Sequence, residues 1–332
     1  MDIQWESILG HERTIRQLRR LWQEGRMPHA MLFCGAEGIG KRRTALSLAA
    51  MLLCEADGAE GPCGRCESCA AFQAGTHPDF YLVEPESRGK SAKSIKIEQI
   101  RELQTRIAWA PKLSPRRVIL MDGVELMNEA AANSLLKTIE EPPGPMFFIL
   151  VTSTPAALLD TIRSRCMRVE FGMLPQQELA RALPGHGIPA EQAPVLASLS
   201  DGSLGRALQL YADGGLELRA DAAGLLRELA DMDMDRLWKR ARALSELPRE
   251  KLADWCMYLS MLLRDMLVLY SGGQQLYHQD LAGQLARLLP QLPESRVFSM
   301  LALLRRLQKR LESNANVRLL LESFLIQIID KE

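Results

Sequence analysis

The sequence predicts an α/β domain built on a mostly parallel sheet, followed by a small helical domain and a larger all-α domain. Three features point that way. Short apolar runs alternate with helix-period segments through the first half of the chain. One of those runs leads straight into a glycine-rich loop. Beyond Phe171 only helical spacing remains, broken by Pro175, Pro184-Gly185 and Pro189.

Each element has a local reason. His11 to Glu24 places Ile15, Leu18, Leu21 and Trp22 on one side of a helix. Ala30-Met31-Leu32-Phe33-Cys34 is an apolar run of strand length, and Arg43 to Cys54, after the glycine loop, has helical spacing with few breakers. Phe80-Tyr81-Leu82-Val83, Arg117 to Met121 and Met146 to Val151 read as further strands, with Ile97 to Ala108 and Glu129 to Glu141 as helices between them. Strands that alternate with helices imply a parallel sheet covered on both faces. Asp201-Gly202-Ser203 caps a short helix that reaches about Tyr211. Gly214-Gly215 marks a boundary, and Leu216 to Lys331 reads as long apolar-striped helices with breaks near Pro248, Ser271-Gly272-Gly273, Pro290 and Pro293. The expected division is 1–172, 173–213 and 214–332.

Composition narrows the function classes. At 332 residues the chain is too long for one ordinary domain. Lys plus Arg number 41 and so do Asp plus Glu, so there is no global basic field of the kind that marks an autonomous nucleic-acid binder. No apolar run reaches the ~18 residues of a membrane span, and Met1-Asp2-Ile3-Gln4-Trp5-Glu6 is too acidic and polar for a signal sequence. A cytoplasmic protein is expected.

Gly35-Ala36-Glu37-Gly38-Ile39-Gly40-Lys41 has the frame of a phosphate-binding loop, in the strand, loop, helix context that the motif requires. Gly35, Gly38, Gly40 and Lys41 are the candidate nucleotide-binding residues. In a working loop the backbone N–H groups cradle phosphate, Lys reaches the β/γ oxygens, and a following hydroxyl holds Mg²⁺. Arg42 stands at that hydroxyl position. Asp122, which ends the run Val118-Ile119-Leu120-Met121, is placed to hold Mg²⁺, but Gly123 occupies the place of the Glu that polarises the attacking water. ATP or ADP is therefore a candidate ligand that this chain is not expected to hydrolyse. The bland alternative is a tight turn that no longer binds nucleotide.

The cysteine count is odd, at seven, and four of them cluster. Cys63, Cys66 and Cys69 are spaced by three, with Cys54 nine residues upstream. Four thiolates so spaced can close a tetrahedral structural Zn²⁺ site within an insertion over 54–70. His77 is an alternative fourth ligand, and two disulfides are the competing arrangement, which a reducing compartment disfavours.

The stretch Asn133-Ser134-Leu135-Leu136-Lys137-Thr138-Ile139-Glu140-Glu141-Pro142-Pro143, then Phe147-Phe148-Ile149-Leu150-Val151-Thr152-Ser153, then Arg163-Ser164-Arg165-Cys166, resembles the clamp-loader branch of the AAA+ family. The defective loop and the missing acid after Asp122 look like the delta-prime subunits of bacterial DNA polymerase III. Gly75-Thr76-His77-Pro78-Asp79 and Asn314-Ala315-Asn316-Val317-Arg318-Leu319-Leu320-Leu321-Glu322 are similar to that family as well. The resemblance implies an AAA+ domain over 1–172, a lid domain over 173–213 and a collar domain over 214–332. It implies a part in ATP-dependent loading of a sliding clamp onto primed DNA, in company with gamma/tau-type and delta-type subunits. Arg165 matches an arginine finger that completes a neighbour's ATP site, Thr152 with Ser153 falls at sensor 1, and Arg206 matches sensor 2.

Other readings stand beside these. Arg165 alone would read as a surface ion-pairing residue. Lys90, Lys93 and Lys96 suit a solvated loop better than a DNA contact, and the Met257 to Met266 stretch suits a core or subunit contact. His11, His29, His186 and His278 have no partners at ligand spacing. The rival functions are an active AAA+ motor, which would need Ser or Thr at 42 and an acid at 123, and a zinc-dependent nucleic-acid module, which zero net charge weakens.

Overall fold

The computed structural model describes residues 3–56, 61–87, 93–311, 313 and 315–329. Lys90 and Asn314 lie outside them. The chain forms two compact units, Met1–Pro175 with Ser203–Gly205, and Gln176–Gly202 with Arg206–Glu332.

The first unit is built on five parallel strands, β1 (Ala30–Cys34), β2 (Phe80–Val83), β3 (Arg117–Asp122), β4 (Met146–Thr152) and β5 (Met167–Glu170). Their order across the sheet is β2-β3-β4-β1-β5. The helices are α1 (Glu12–Gln23), α2 (Lys41–Leu53), α3 (Glu67–Gln73), α4 (Ile97–Ile107), α5 (Glu129–Glu140) and the single turn α6 (Asp160–Arg163). Because side chains alternate along a strand, β1 feeds two cores. Met31 and Phe33 pack with Leu18 of α1, Leu48 and Leu52 of α2 and Phe72 of α3. Ala30, Leu32 and Cys34 face the opposite core, with Ile100 and Leu103 of α4 and Leu135 and Ile139 of α5. Continuous burial of β1 and β3 follows from this two-sided cover.

The sequence predicts four of these strands and misses β5. Met167-Arg168-Val169-Glu170 is four residues long and sits at a sheet edge, where only Val169 is buried. Its period-two alternation was a signal, but one too short to separate from a loop.

A buried polar network joins α3 to the sheet. Ser68 Oγ lies 2.9 Å from His77 Nε2 and donates to Leu53 O, which Ser114 Oγ also approaches. The backbone N–H of Asp79 donates to His77 Nδ1, and Asp79 accepts from the N–H groups of Lys112, Leu113 and Ser114. Both ring nitrogens of His77 are thus engaged within the fold, which removes it from the alternative ligand set.

The second unit is all helical, with α7 (Gln176–Ala182), α8 (Ala193–Leu199), the body of α9 (Leu204–Ala212), α10 (Gly215–Glu228), α11 (Met234–Ser245), α12 (Arg249–Tyr270), α13 (Ala282–Leu288), α14 (Glu294–Leu311) and α15 (Val317–Ile329). Helix α12 is its axis, burying Leu252, Trp255, Leu259, Leu262, Leu263 and Met266. Most of the Met257 to Met266 stretch is therefore core.

Asp265, fully buried on α12, accepts from the N–H groups of Tyr277 and His278 and from His278 Nδ1 at 2.8 Å, and Arg264 pairs with it at 3.0 Å. Burial pushes this carboxyl up, but the His278 side chain and the two backbone donors push further down, and it rests below its ordinary range. Asp265→Ala should destabilise the protein by about 3 kcal/mol, since removing one member leaves His278 buried without its partner. A lowered folded pKa means that this stabilisation is present above the ordinary carboxylate pKa and is lost as pH falls through the folded value. Urea unfolding should therefore separate wild type from variant widely at pH 7 and less in strong acid.

Candidate functional site

Sheet register gathers the loop residues. Cys34 at the end of β1 lies beside Thr152 at the end of β4, and Asp122 at the end of β3 lies beside Val151. The carboxyl ends of three adjacent strands thus place the loop at 35–40, Asp122 and Thr152 along one edge, the usual ligand position of an open parallel sheet. Helix α2 begins at Lys41, so its N-terminal N–H groups face that edge.

Inside this frame the side chains expected to meet nucleotide have partners within the chain. Lys41 is buried, and its Nζ donates to Gly35 O at 2.7 Å and Ala36 O at 2.6 Å. Burial lowers its pKa, against the opposing pull of Asp122, Glu125 and Glu37. Arg42 Nη1 pairs with Asp122 Oδ2 at 3.2 Å and with Glu84. A guanidinium thus contacts the carboxylate that would hold Mg²⁺. Burial raises the Asp122 carboxyl above its usual range, while Arg42 draws it down.

Gly123 has φ +73°, and a Cβ there would lie 3.1 Å from Pro85 Cγ. A Glu at this position would occupy the left-handed region and press on a proline ring. At the next strand, Thr152 Oγ1 accepts from Thr154 N, and Ser153 donates to Glu125 Oε1 through both its N–H and its hydroxyl.

The loop carbonyls are tied as well. Ser203 Oγ donates to Glu37 O and Gly205 N–H to Gly38 O, with an approach so close that a Cβ at 205 would lie 2.7 Å from Gly38 Cα. His11 Nε2 sits 2.7 Å from Ile39 O. Arg206 belongs to the second unit, where its guanidinium lies against Met257 Sδ.

Sequence reasoning missed His11, Glu84, Glu125 and Ser203. None belongs to the loop motif, and their roles depend on contacts between segments far apart in sequence. Glu84, directly after β2, had the one usable signal, an acid at the carboxyl end of a strand.

Arg165 follows α6 and is partly exposed. Its Nε lies 2.5 Å from Glu140 Oε1 at the end of α5, and Nη1 donates to Thr161 O at 3.0 Å.

The cysteines converge. Sγ atoms of Cys54, Cys63, Cys66 and Cys69 lie within 4.8 Å of one another, with Cys54 to Cys66 at 3.9 Å and Cys63 to Cys69 at 4.0 Å. Tetrahedral Zn–S bonds of ~2.3 Å put sulfurs about 3.8 Å apart, so the group can hold a metal ion of that size. Backbone N–H groups of Cys63, Cys66 and Cys69 donate to the sulfurs of Cys54, Cys63 and Cys66. Donors from Arg65 and Cys66 bring the Cys63 thiol down to about 6, as a metal thiolate needs, while burial raises Cys54 and Cys69.

Comparisons with known proteins agree over most of the chain. The family described as "DNA polymerase III, delta subunit" matches residues 10–175, and "DNA polymerase III, delta subunit, C terminal" matches 220–330. "DNA polymerase III subunit delta'" of Pseudomonas aeruginosa is 36% identical, covering 90% of this chain and 91% of that protein. Its namesake from Bacillus subtilis is 31% identical over 99% of each. "DNA polymerase III subunit tau/gamma" of Haemophilus influenzae is 34% identical but covers only 61% of this chain and 30% of its own length. With both halves matched and the full-length relatives sharing one name, the chain belongs to the DNA polymerase III delta-prime family.

Proposed function

We propose that the chain is a non-hydrolysing subunit of the DNA polymerase III clamp loader, supporting ATP-dependent loading of the sliding clamp onto primed DNA. The single observation that carries the non-hydrolysing part is Arg42 paired with Asp122, a side-chain cation at the place of the metal. Gly123 removes the water-orienting acid, and its φ leaves no easy way to restore one. Gamma/tau-type and delta-type subunits, the clamp and primed DNA are the partners. Arg165 acts in trans on a neighbour's ATP, because an Arg fork matches phosphate oxygens and offsets charge on the transferring γ-phosphoryl. The first 172 residues serve as the AAA+ body, 173–213 as a lid and 214–332 as a collar. The cysteine group holds one structural Zn²⁺.

An active motor is the second reading, favoured by the partial match to the tau/gamma protein. ATP turnover by the purified chain separates the two. The expected result is none above background, with or without primed DNA. Arg42→Thr frees Asp122 but should still give no fast enzyme, and Arg42→Thr with Gly123→Glu should fare no better, since the new Glu is strained. Turnover that Lys41→Ala abolishes would overturn the non-hydrolysing assignment.

A further inference from the structure

Glu140 and Glu141 close α5 just before Pro142-Pro143. Carboxylates are disfavoured at a helix C-terminus, where the helix dipole already presents negative charge. Pro142-Pro143 explains why the helix stops here, but nothing local explains two acids in its last turn and cap.

Arg165 supplies a reason for the first of them. Its Nε sits 2.5 Å from Glu140 Oε1, and its Nη1 donates to Thr161 O. Nη2 has no partner among the described residues. The guanidinium is thus held at two points, an ion pair with one carboxylate at Nε and a hydrogen bond from Nη1 to one carbonyl. Both side chains are about 40% exposed, and a solvent-exposed pair of this kind contributes little to folding. Its effect lies in orientation, because an unheld Arg side chain samples many rotamers and loses that freedom on binding phosphate.

We propose that Glu140 is a positioning residue for Arg165, holding the guanidinium by Nε so that its free corner is presented to a phosphate brought by a neighbouring subunit. The proposal rests on the trans role of Arg165 given above. It also assigns a task to the acidic end of the Glu140-Glu141-Pro142-Pro143 motif.

The test is DNA-stimulated ATP turnover of the reconstituted loader containing wild-type chain, Glu140→Ala, Glu140→Gln, Arg165→Ala or the double alanine variant. Glu140→Ala should lower kcat about threefold for the whole assembly, with KM for ATP unchanged, because a misaligned finger is felt in the transition state. Glu140→Gln should recover most of the loss, since its amide oxygen can lie at the same place. The double variant should be no slower than Arg165→Ala, and all variants should assemble and melt like wild type. If Arg165→Ala slows turnover while Glu140→Ala does not, the positioning role is overturned and the finger stands. If Arg165→Ala itself has no effect, the finger assignment fails first. A slowed Glu140→Ala that melts early, or that adds to Arg165→Ala, also overturns the proposal by showing a merely structural effect.

Discussion

Replacing Arg165 with alanine in an otherwise intact loader is expected to slow hydrolysis at the adjoining ATP site by about 10³-fold, the lower range for arginine fingers. Turnover of the whole assembly should fall less, because other sites keep their own arginines. The variant should fold and assemble normally. Arg165 is partly exposed, and its contacts are a surface carboxylate and one backbone carbonyl, so losing it opens no cavity and strands no buried charge. Clamp loading onto primed DNA should drop with the ATPase. Full turnover at the adjoining site in the reconstituted variant would return Arg165 to an ordinary ion pair.

The second large effect concerns the thiol cluster. Purified protein should carry about one Zn²⁺ per chain, and Cys63→Ser or Cys66→Ser should lose it. Structural zinc contributes an apparent ~10–16 kcal/mol to small domains that fold around it, so its removal should melt the segment that carries the ligands. The damage should stay local. Cys54 and Cys69 are buried against the core formed by α1, α2 and one sheet face, but the sheet has apolar packing on both sides without them. Chelation should therefore raise hydrogen exchange in 61–75 while β1, β3 and β4 remain protected. Metal analysis below half an equivalent in unchelated protein would count against zinc.

Much of the architecture was legible because it rests on periodicity. Strands β1 to β4 are apolar throughout or nearly so, and their helices carry faces that repeat at helical spacing, so Ala30–Cys34 and Phe80–Val83 are found where they were expected. Strand β5 escaped because Arg168 and Glu170 leave it only two apolar residues, whereas β2, an edge strand of the same length, is apolar throughout. The glycine loop, Asp122 and the four cysteines were legible as motifs, since each depends on neighbours close in sequence. What the loop does with those residues was not. That Lys41 turns to Gly35 and Ala36, that Arg42 reaches Asp122 across 80 positions, and that Ser203 and Gly205 return to Glu37 and Gly38 depend on strand order. Local sequence carries no record of that order. His77 shows the opposite risk, a residue of ligand type close to the cysteines whose ring nitrogens are taken up by Ser68 and the Asp79 N–H.

Arg42 against Asp122 has one more consequence. A magnesium ion is drawn from solution and exchanges with it, so a site that needs one answers to the free concentration of the ion and of the nucleotide that carries it. A guanidinium tethered by its own backbone has no concentration and keeps its charge at every physiological pH. The cation that meets Asp122 is therefore supplied at synthesis. Swings in cellular magnesium or in the adenylate ratio, which reset ordinary nucleotide switches, do not change the charge that Arg42 brings to Asp122.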